Sequence, residues 1–463
     1  MQKIQKILLF RANFTQILIK LSMRNSLIDI FESFYFIGIG GVSMSGLAKY
    51  LQYRGKNVCG SDLVSSVYTA ELINCGISVE VGEAEASIKD YDVIVYTDAI
   101  PENNVQLKEA ERLDKIILSR GQLLYEISRG FGTVIAVSGC HGKTTCTSML
   151  AHIFLAAGKK FFAHIGGRDI VFANSFFCGT DYLITEACEY KKNFLLLRPN
   201  IAVLLNSGAD HLECYGSIEN LRAAYLQFVK SADLSVTLGG DDTVGDITFG
   251  YGKNSDYCAR NISCSDGRYS FTMYKGNSSL GRVSLSVDGK HNILNALAAA
   301  CVALNAGIAF RYVQEGLADF CGVERRFERI GSINGAKCIA DYAHHPDEIA
   351  VALKTAKCSA GGKLYVIFQP HTYSRTKLLF KEFVKVLSQI DNLLIFRTFA
   401  AREYFDDSGS ALTLSQGIKK SLYGYNYNDI IKFLSHAKSG DCILFLGAGD
   451  IYDISKHIVS QIS

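Results

Sequence analysis

The run Gly139-Cys140-His141-Gly142-Lys143-Thr144-Thr145 places a lysine and two hydroxyls directly behind a glycine turn. Such a run can bind phosphate. Backbone N–H groups of the turn and the positive end of a helix dipole face the anion. Lys143 is placed to reach the β- and γ-phosphates, and the Thr144 hydroxyl to ligate Mg²⁺. The pattern is shorter than a full phosphate loop. The first glycine of G-x-x-x-x-G-K-[ST] falls at Val137, which leaves G-x-x-G-K-T. The competing explanation is a tight turn with a surface lysine. The flanks favour phosphate: Val134 to Ser138 is short, apolar and β-prone, while Met149 to Ala157 has helical length with Gly158 as its stop.

Other chemically capable groups recur at predicted strand ends. Asp181 to Thr185 leads to Glu186-Ala187-Cys188-Glu189-Tyr190, and Ile201 to Leu205 leads to Asn206, with Asp210 and His211 beyond. In a parallel sheet these ends share one edge. Glu186 and His211 are therefore candidate Mg²⁺ ligands with Thr144, although a hard cation suits a carboxylate better than an imidazole. The alternatives are a helix-capping Glu186 and a surface His211. Asn292 and Asn295 stand three apart at the head of an Ala-rich run. On one helical face they can read a purine edge, or simply cap the helix.

These groups need elements to hold them. Phe34 to Ile39 predicts a strand, and Gly38-Ile39-Gly40-Gly41-Val42-Ser43-Met44-Ser45-Gly46 opens a helix. A second strand reaches Asp62. That is a Rossmann layout for a nucleotide, with Ser43 in place of the third fingerprint glycine. The alternative is a doubly wound fold whose first turn holds no ligand. Val93 to Tyr96 ends at Thr97 and Asp98, again where ligands gather in such sheets. Residues 239–288 predict a hairpin-bearing excursion. Beyond Gly322 lies a third α/β block: strands over Cys338 to Ala340, Leu364 to Phe368 and Cys442 to Leu446 end at Asp341, Gln369 and Gly447, a further strand covers Leu393 to Phe396, and His344, His345, His371 and Arg375 follow in the adjoining loops.

The bulk properties are those of a globular chain. It has 463 residues, 48% hydrophobic and 20% charged, enough for two to four domains. A net charge of +3 is too small to argue for nucleic acid. The 14 cysteines show no metal-ligand spacing and predict free thiols in a reducing cytosol. No apolar run approaches a membrane span. Residues 1–22 are basic and free of acid, and predict a dispensable extension or a weak membrane-surface helix, with Met23 as an alternative start.

Taken together, GIGGVSMSGLA, SGCHGKTT, EACEY, NSGADHLECYG, GKHNILNALAAA, ERRFE, DYAHHP, FQPHTYSRT and GAGD resemble, in order, the motifs of the Mur ligases, the ATP-dependent amide ligases of peptidoglycan synthesis. The resemblance implies an α/β protein of three domains. After an extension over 1–32, it implies a Rossmann-like UDP-binding domain at 33–129, a P-loop ATPase domain with a mainly parallel sheet at 130–322, and a C-terminal Rossmann-like α/β domain for the amino acid at 323–463. It implies ligation of L-alanine to UDP-N-acetylmuramate through an acyl phosphate, in the cytoplasm, by a monomer or homodimer, with ATP and Mg²⁺. Gly40, Gly41, Met44, Ser45, Gly46 and Asp62 would face the UDP. Gly139, His141, Gly142, Lys143, Thr144 and Thr145 would hold the phosphates. Asn292 and Asn295 would hold the adenine, and Arg326 and Asp341 would meet ATP across a domain cleft. Lys143, Glu186, His211 and Arg326 would be catalytic, with Thr144, Glu186 and His211 on metal. His344, His371 and Arg375 would line the amino-acid side.

The sequence departs from the family at Cys140, where Thr is commoner, and matches it loosely over Phe161 to Asn174 and 239–288. A sister activity, joining murein tripeptide to the same UDP-sugar, shares nearly all these motifs. A nicotinamide dehydrogenase leaves Lys143 unused, and a nucleotide switch leaves three ligand-bearing edges idle.

Overall fold

The first sheet explains why the N-terminal glycine turn sits where it does. Strands β1 (Ser33–Ile37), β2 (Asn57–Asp62), β3 (Ser78–Val81), β4 (Val93–Tyr96) and β5 (Ile116–Ser119) are all parallel, in the order β3-β2-β1-β4-β5. Every residue of β1 is buried, as expected of a strand covered on both faces. The order reverses between β1 and β4, the position where such sheets open a crevice. Helix α1 (Val42–Tyr53) follows β1, and α2 (Arg120–Ser128) follows β5.

The protein is a computed structural model that describes residues 26–82, 88–101, 103–208, 212–240, 245–265, 267–401 and 403–462. It forms two compact units. One comprises Met1–Cys258 with Leu297–Gly316, so far as these are described, and the other Ala259–Ala296 with Leu317–Ser463. The proposed extension falls largely outside the described residues. Its last part does not: Leu27–Ile30 is one turn of helix, capped by Ser26. The Ser26 hydroxyl donates to the Glu126 carbonyl at 2.8 Å, and Ile28 is buried in the core.

The first unit also carries a second sheet. Its strands are β6 (Thr133–Ser138), β7 (Phe161–Asp169), β8 (Ala173–Phe177), β9 (Tyr182–Glu186), β10 (Ile201–Leu204), β11 (Leu234–Leu238) and β12 (Ile247–Gly250). Their order is β12-β11-β10-β6-β9-β7-β8, parallel except for β8. The stretch read only as a loosely matched segment, Phe161 to Asn174, is thus mostly strand. It packs β7 and β8 onto α1: the Tyr50 ring stacks on Phe162 at 4.5 Å, and Tyr53 lies 4.1 Å from Phe177. Asn174 donates to the Val42 carbonyl at 2.6 Å and to Ser45 at 2.7 Å, and accepts from Lys49 at 2.9 Å. The first two sheets therefore share one core, running from Ile28 to Val229.

The second unit carries the hairpin of β14 (Arg268–Lys275) with β15 (Ser278–Asp288), which follows β13 (Tyr257–Ser265). It also carries a sheet of β16 (Glu328–Ile333), β17 (Ala336–Asp341), β18 (Leu364–Phe368), β19 (Asn392–Phe396), β20 (Ser421–Gly424) and β21 (Cys442–Leu446). The order is β16-β17-β21-β18-β19-β20, with only β16 antiparallel. The architecture is the expected mixed α/β, with three sheets along the chain. All 14 cysteines are free thiols. Among the described residues no helix is long and apolar enough to cross a membrane.

Candidate active site

The phosphate loop joins β6 to α3 (Lys143–Ala156) and is pinned from both sides. Its neighbours β10 and β9 flank β6. Beyond β10, the Asn206 side chain accepts from the His141 N–H at 3.1 Å and donates to the His141 carbonyl at 2.9 Å. Gly139 adopts φ +131°, and a Cβ there would sit 3.0 Å from the Asn206 carbonyl oxygen. Gly142 is left-handed at φ +87° and precedes α3 with no side-chain cap. The first N–H groups of a 14-residue helix are thus left without a capping side chain, as an anion site requires. Thr144 is buried in the first turn.

Lys143 folds back over this loop. Its ammonium donates to the Gly139 carbonyl at 2.5 Å, more weakly to the Cys140 carbonyl at 3.4 Å, and to Glu189 Oε1 at 2.9 Å. Burial works against its charge, but Glu189, with Cys188 and Glu186, holds its pKa above the ordinary lysine value. Glu189 is fully buried. It stands in the EACEY motif, and only the fold shows it facing Lys143. Glu186 ends β9, and its carboxylate accepts from the Gly166 N–H at 2.5 Å. Thr144 and Glu186 offer hard oxygen donors, and Mg²⁺ is commonly held by one or two carboxylates with water and phosphate completing the shell. These residues fit Mg²⁺ bound beside a nucleotide. His211, the third expected ligand, lies outside the described residues. Among the described residues no three His, Cys, Asp or Glu side chains converge on a metal position. Cys140 is buried and donates its thiol to the Gly208 carbonyl at 2.7 Å, so it serves loop packing.

The first glycine turn is organised by Asp62. Its Oδ2 accepts from the Gly40 N–H at 2.8 Å, and its Oδ1 lies 3.4 Å from the Val64 N–H. Gly40 and Gly41 reach the head of α1 at the sheet's switch point. Met44, Ser45 and Gly46 are placed differently from Gly40. Met44 and Ser45 are buried, the Ser45 hydroxyl donates to the Gly41 carbonyl at 2.9 Å, and a Cβ on Gly46 would lie 3.2 Å from His164. The Met44 and Ser45 side chains face protein. The physical reason is that β7 and β8 cover α1 at Ser45 and Gly46, while Met44 lies in the core that the first two sheets share.

In the second unit, Asn292 and Asn295 are buried at the start of α4 (Asn292–Asn305). The Asn292 amide donates to the Asp288 carbonyl at 2.7 Å and accepts from Asn295 at 3.0 Å. Asp341 ends β17 and accepts from the Phe327 and Ala343 N–H groups, each at 2.8 Å. Burial pushes its pKa up to about 6, against the pull of Arg326. The Arg326 guanidinium lies over the Tyr342 ring at 5.3 Å. The His344 and His371 rings lie 5.8 Å apart, His371 stacks on Phe399 at 5.6 Å, and Arg375 approaches His371 Nδ1 at 3.3 Å. His344, His371 and Arg375 are thus brought together.

Burial, with His344 and Arg375 adding to it, lowers the His371 pKa to about 4. An unfolded histidine titrates near 6.5, so from pH 6.5 down to 4 the unfolded chain takes up a proton that the native one does not. Stability contributed by this group is present above 6.5 and is lost as pH falls through that window. His371→Asn keeps an acceptor for Arg375 but removes the titration. We expect its melting temperature to fall less steeply than wild type between pH 6.5 and 4. Parallel curves would contradict the assignment. Asp341 works in the opposite sense, losing stability as pH rises from 3.8 to about 6, but is common to both proteins and cancels.

Comparison with known proteins agrees with this arrangement. Three family descriptions match in succession: "Mur ligase family, catalytic domain" at 33–132, "Mur ligase middle domain" at 137–303, and "Mur ligase, glutamate ligase domain" at 325–449. A protein of Clostridium acetobutylicum named UDP-N-acetylmuramate–L-alanine ligase is 40% identical, over 94% of this chain and 98% of its own. One of the same name from Clostridium beijerinckii is 38% identical, over 93% and 98%. A crystal structure of a UDP-N-acetylmuramate-alanine ligase from Thermotoga maritima superposes with a TM-score of 0.81 at 29% identity, covering 93% of this chain and 98% of that one. A murein peptide ligase from Psychrobacter arcticus shares the fold at TM-score 0.70 and 24% identity, over 93% and 98%. On these matches, the chain belongs to the Mur ligase family.

Proposed function

We propose that this protein joins L-alanine to the lactyl carboxylate of UDP-N-acetylmuramate at the expense of ATP, for peptidoglycan synthesis. The observation that carries it is the uncapped α3 N-terminus with Lys143 beside it, the loop clasped by Asn206 through His141 and the lysine by Glu189, in a chain so close to ligases of that name.

A carboxylate is a poor acyl donor. One of its oxygens attacks the γ-phosphorus of ATP, ADP leaves, and an acyl phosphate forms. The neutral amine of L-alanine then attacks the acyl carbon, and the tetrahedral intermediate collapses to the amide and phosphate. Two anions must meet in the first step, so positive charge belongs between them. Lys143 supplies it from this chain, by leaving Gly139 and Glu189 for the phosphates. Mg²⁺, held by Thr144, Glu186 and His211, would screen the same charge. Gly139, His141, Gly142 and Thr145 position the phosphates through the loop and first helical turn. Gly40, Gly41 and Asp62 shape the UDP turn, with Met44, Ser45 and Gly46 supporting it from behind. Asn292 and Asn295 are assigned to the adenine, Arg326 and Asp341 to ATP, and His344, His371 and Arg375 to L-alanine. Domain limits near 32, 129 and 322, a cytoplasmic location, and a monomeric or homodimeric state belong to the same proposal.

The acyl phosphate makes a specific demand. With ¹⁸O in the lactyl carboxylate, one labelled oxygen passes to the released phosphate and the other stays in the amide. Mass spectrometry of the phosphate should find the label. Unlabelled phosphate would reject the acyl-phosphate route.

A further inference from the structure

One cation beside the first glycine turn is not yet assigned a role. Arg120 is the first residue of α2, fixed by the Ser119 cap and its Gln122 partner. It is half-buried, and its guanidinium reaches Ser43 Oγ at 3.5 Å, in the first turn of α1 behind the UDP turn. Among the described residues no carboxylate lies within ion-pairing distance of it. Its backbone is fixed from the other side too. A Cβ on the next residue, Gly121, would run into the Asn193 amide. Asn193 in turn donates to Asp98 Oδ2 at 2.8 Å and to the Tyr190 carbonyl at 3.0 Å. Arg120 is therefore set between the head of α1 and the segment that carries Glu189, the partner of Lys143.

The histidine that shares its Ser43 contact adds no charge of its own. His164 Nε2 lies 3.0 Å from the same Ser43 hydroxyl, and its Nδ1 lies 3.0 Å from Thr185, one residue before Glu186. Burial and then Arg120 hold the His164 pKa down to about 4, so this ring is neutral at working pH. The field of Arg120 also reaches Cys188, beside Glu189. A guanidinium without a carboxylate, on a helix start pinned on both sides, facing the turn assigned to a sugar nucleotide, is built for an oxyanion.

We propose that Arg120 binds an oxyanion of the sugar-nucleotide substrate and so helps to select it. The anion is either the pyrophosphate or the lactyl carboxylate that is to be activated; both suit a guanidinium fork. This rests on the sugar-nucleotide reading above. It adds a residue that lies between the UDP turn and the Glu189 segment.

The test is calorimetric titration of the full-length wild type, Arg120→Ala, Arg120→Gln and Arg120→Lys. The ligands are UDP, UDP-N-acetylglucosamine, UDP-N-acetylmuramate and a non-hydrolysable ATP analogue. Loss of a charge-assisted pair should weaken UDP-N-acetylmuramate by roughly 10- to 100-fold in the alanine and glutamine variants, with partial recovery in the lysine variant, which keeps the charge but not the fork. Affinity for the ATP analogue should hold. Weakening of all three uridine ligands places Arg120 on the pyrophosphate; weakening of UDP-N-acetylmuramate alone places it on the carboxylate. Unchanged affinity for all three overturns the proposal. So does an equal loss for the ATP analogue in the glutamine and lysine variants, which is the mark of a merely structural residue. Wild type that binds none of the uridine ligands rejects the sugar-nucleotide reading itself, and Arg120 with it.

Discussion

Lys143→Ala should lose turnover by about 150-fold or more, as expected when roughly 3 kcal/mol of transition-state charge stabilisation is removed. The structure adds a second consequence. Glu189 is fully buried with Lys143 at 2.9 Å. Removing that cation leaves a buried carboxylate without it, which costs about 3 kcal/mol of stability or drives the carboxylate to protonate. The single variant is thus expected to be both inactive and less stable. The double variant Lys143→Ala with Glu189→Gln separates the two effects, because the amide needs no counter-charge. It should regain most of the lost melting temperature and none of the activity. UDP-N-acetylmuramate affinity should stay within about threefold of wild type throughout, since the lost charge-assisted bonds serve other anions. Lys143→Ala activity within tenfold of wild type would remove the lysine from the chemistry.

The largest effect on stability should come from Phe162→Ala. Phe162 is 1% exposed, stacks on Tyr50, and also meets Phe131 at 6.1 Å and Phe177 at 6.3 Å. It lies where β7 meets α1, so its ring fills space between the elements of two sheets. Deleting it removes buried apolar area and leaves a cavity that rigid neighbours fill poorly, a loss of about 3–5 kcal/mol. Phe162→Leu refills most of that volume and should cost under about 1.5 kcal/mol. Urea unfolding followed by circular dichroism measures both. Because the core is shared, the first two sheets should unfold together in each variant. An unchanged midpoint in the alanine variant would mean that the cluster contributes little.

What the sequence disclosed, and what it hid, follows from the range of the interactions. The phosphate loop is legible because its parts are adjacent: a strand, glycines at fixed spacing, a lysine and a helix. The same holds for Gly40, Gly41 and Asp62, which lie in a single βαβ unit where one hydrogen bond joins Gly40 to Asp62. Strands β7 and β8 were harder to see, because Gly166 and Gly167 interrupt the apolar pattern of β7. Their packing on α1 then buries Ser45 against Asn174. Local sequence carries no trace of that contact. Glu189 and Arg120 were equally hidden: each stands in a motif or helix start of ordinary appearance, and its meaning comes from a partner on another element. Asn206 had a local signal, as the polar residue closing a predicted strand, but its clasp on His141 appears only when β10 lies beside β6.

The activity turns on the identity of the acceptor amine. Purified protein with ATP, Mg²⁺ and UDP-N-acetylmuramate should be assayed for phosphate release against L-alanine, glycine, L-serine, murein tripeptide and no amine. The account predicts release with L-alanine well above every other arm, and a product heavier by one alanyl residue. Release driven by the tripeptide with L-alanine silent would contradict it, and would assign the chain to the sister activity instead.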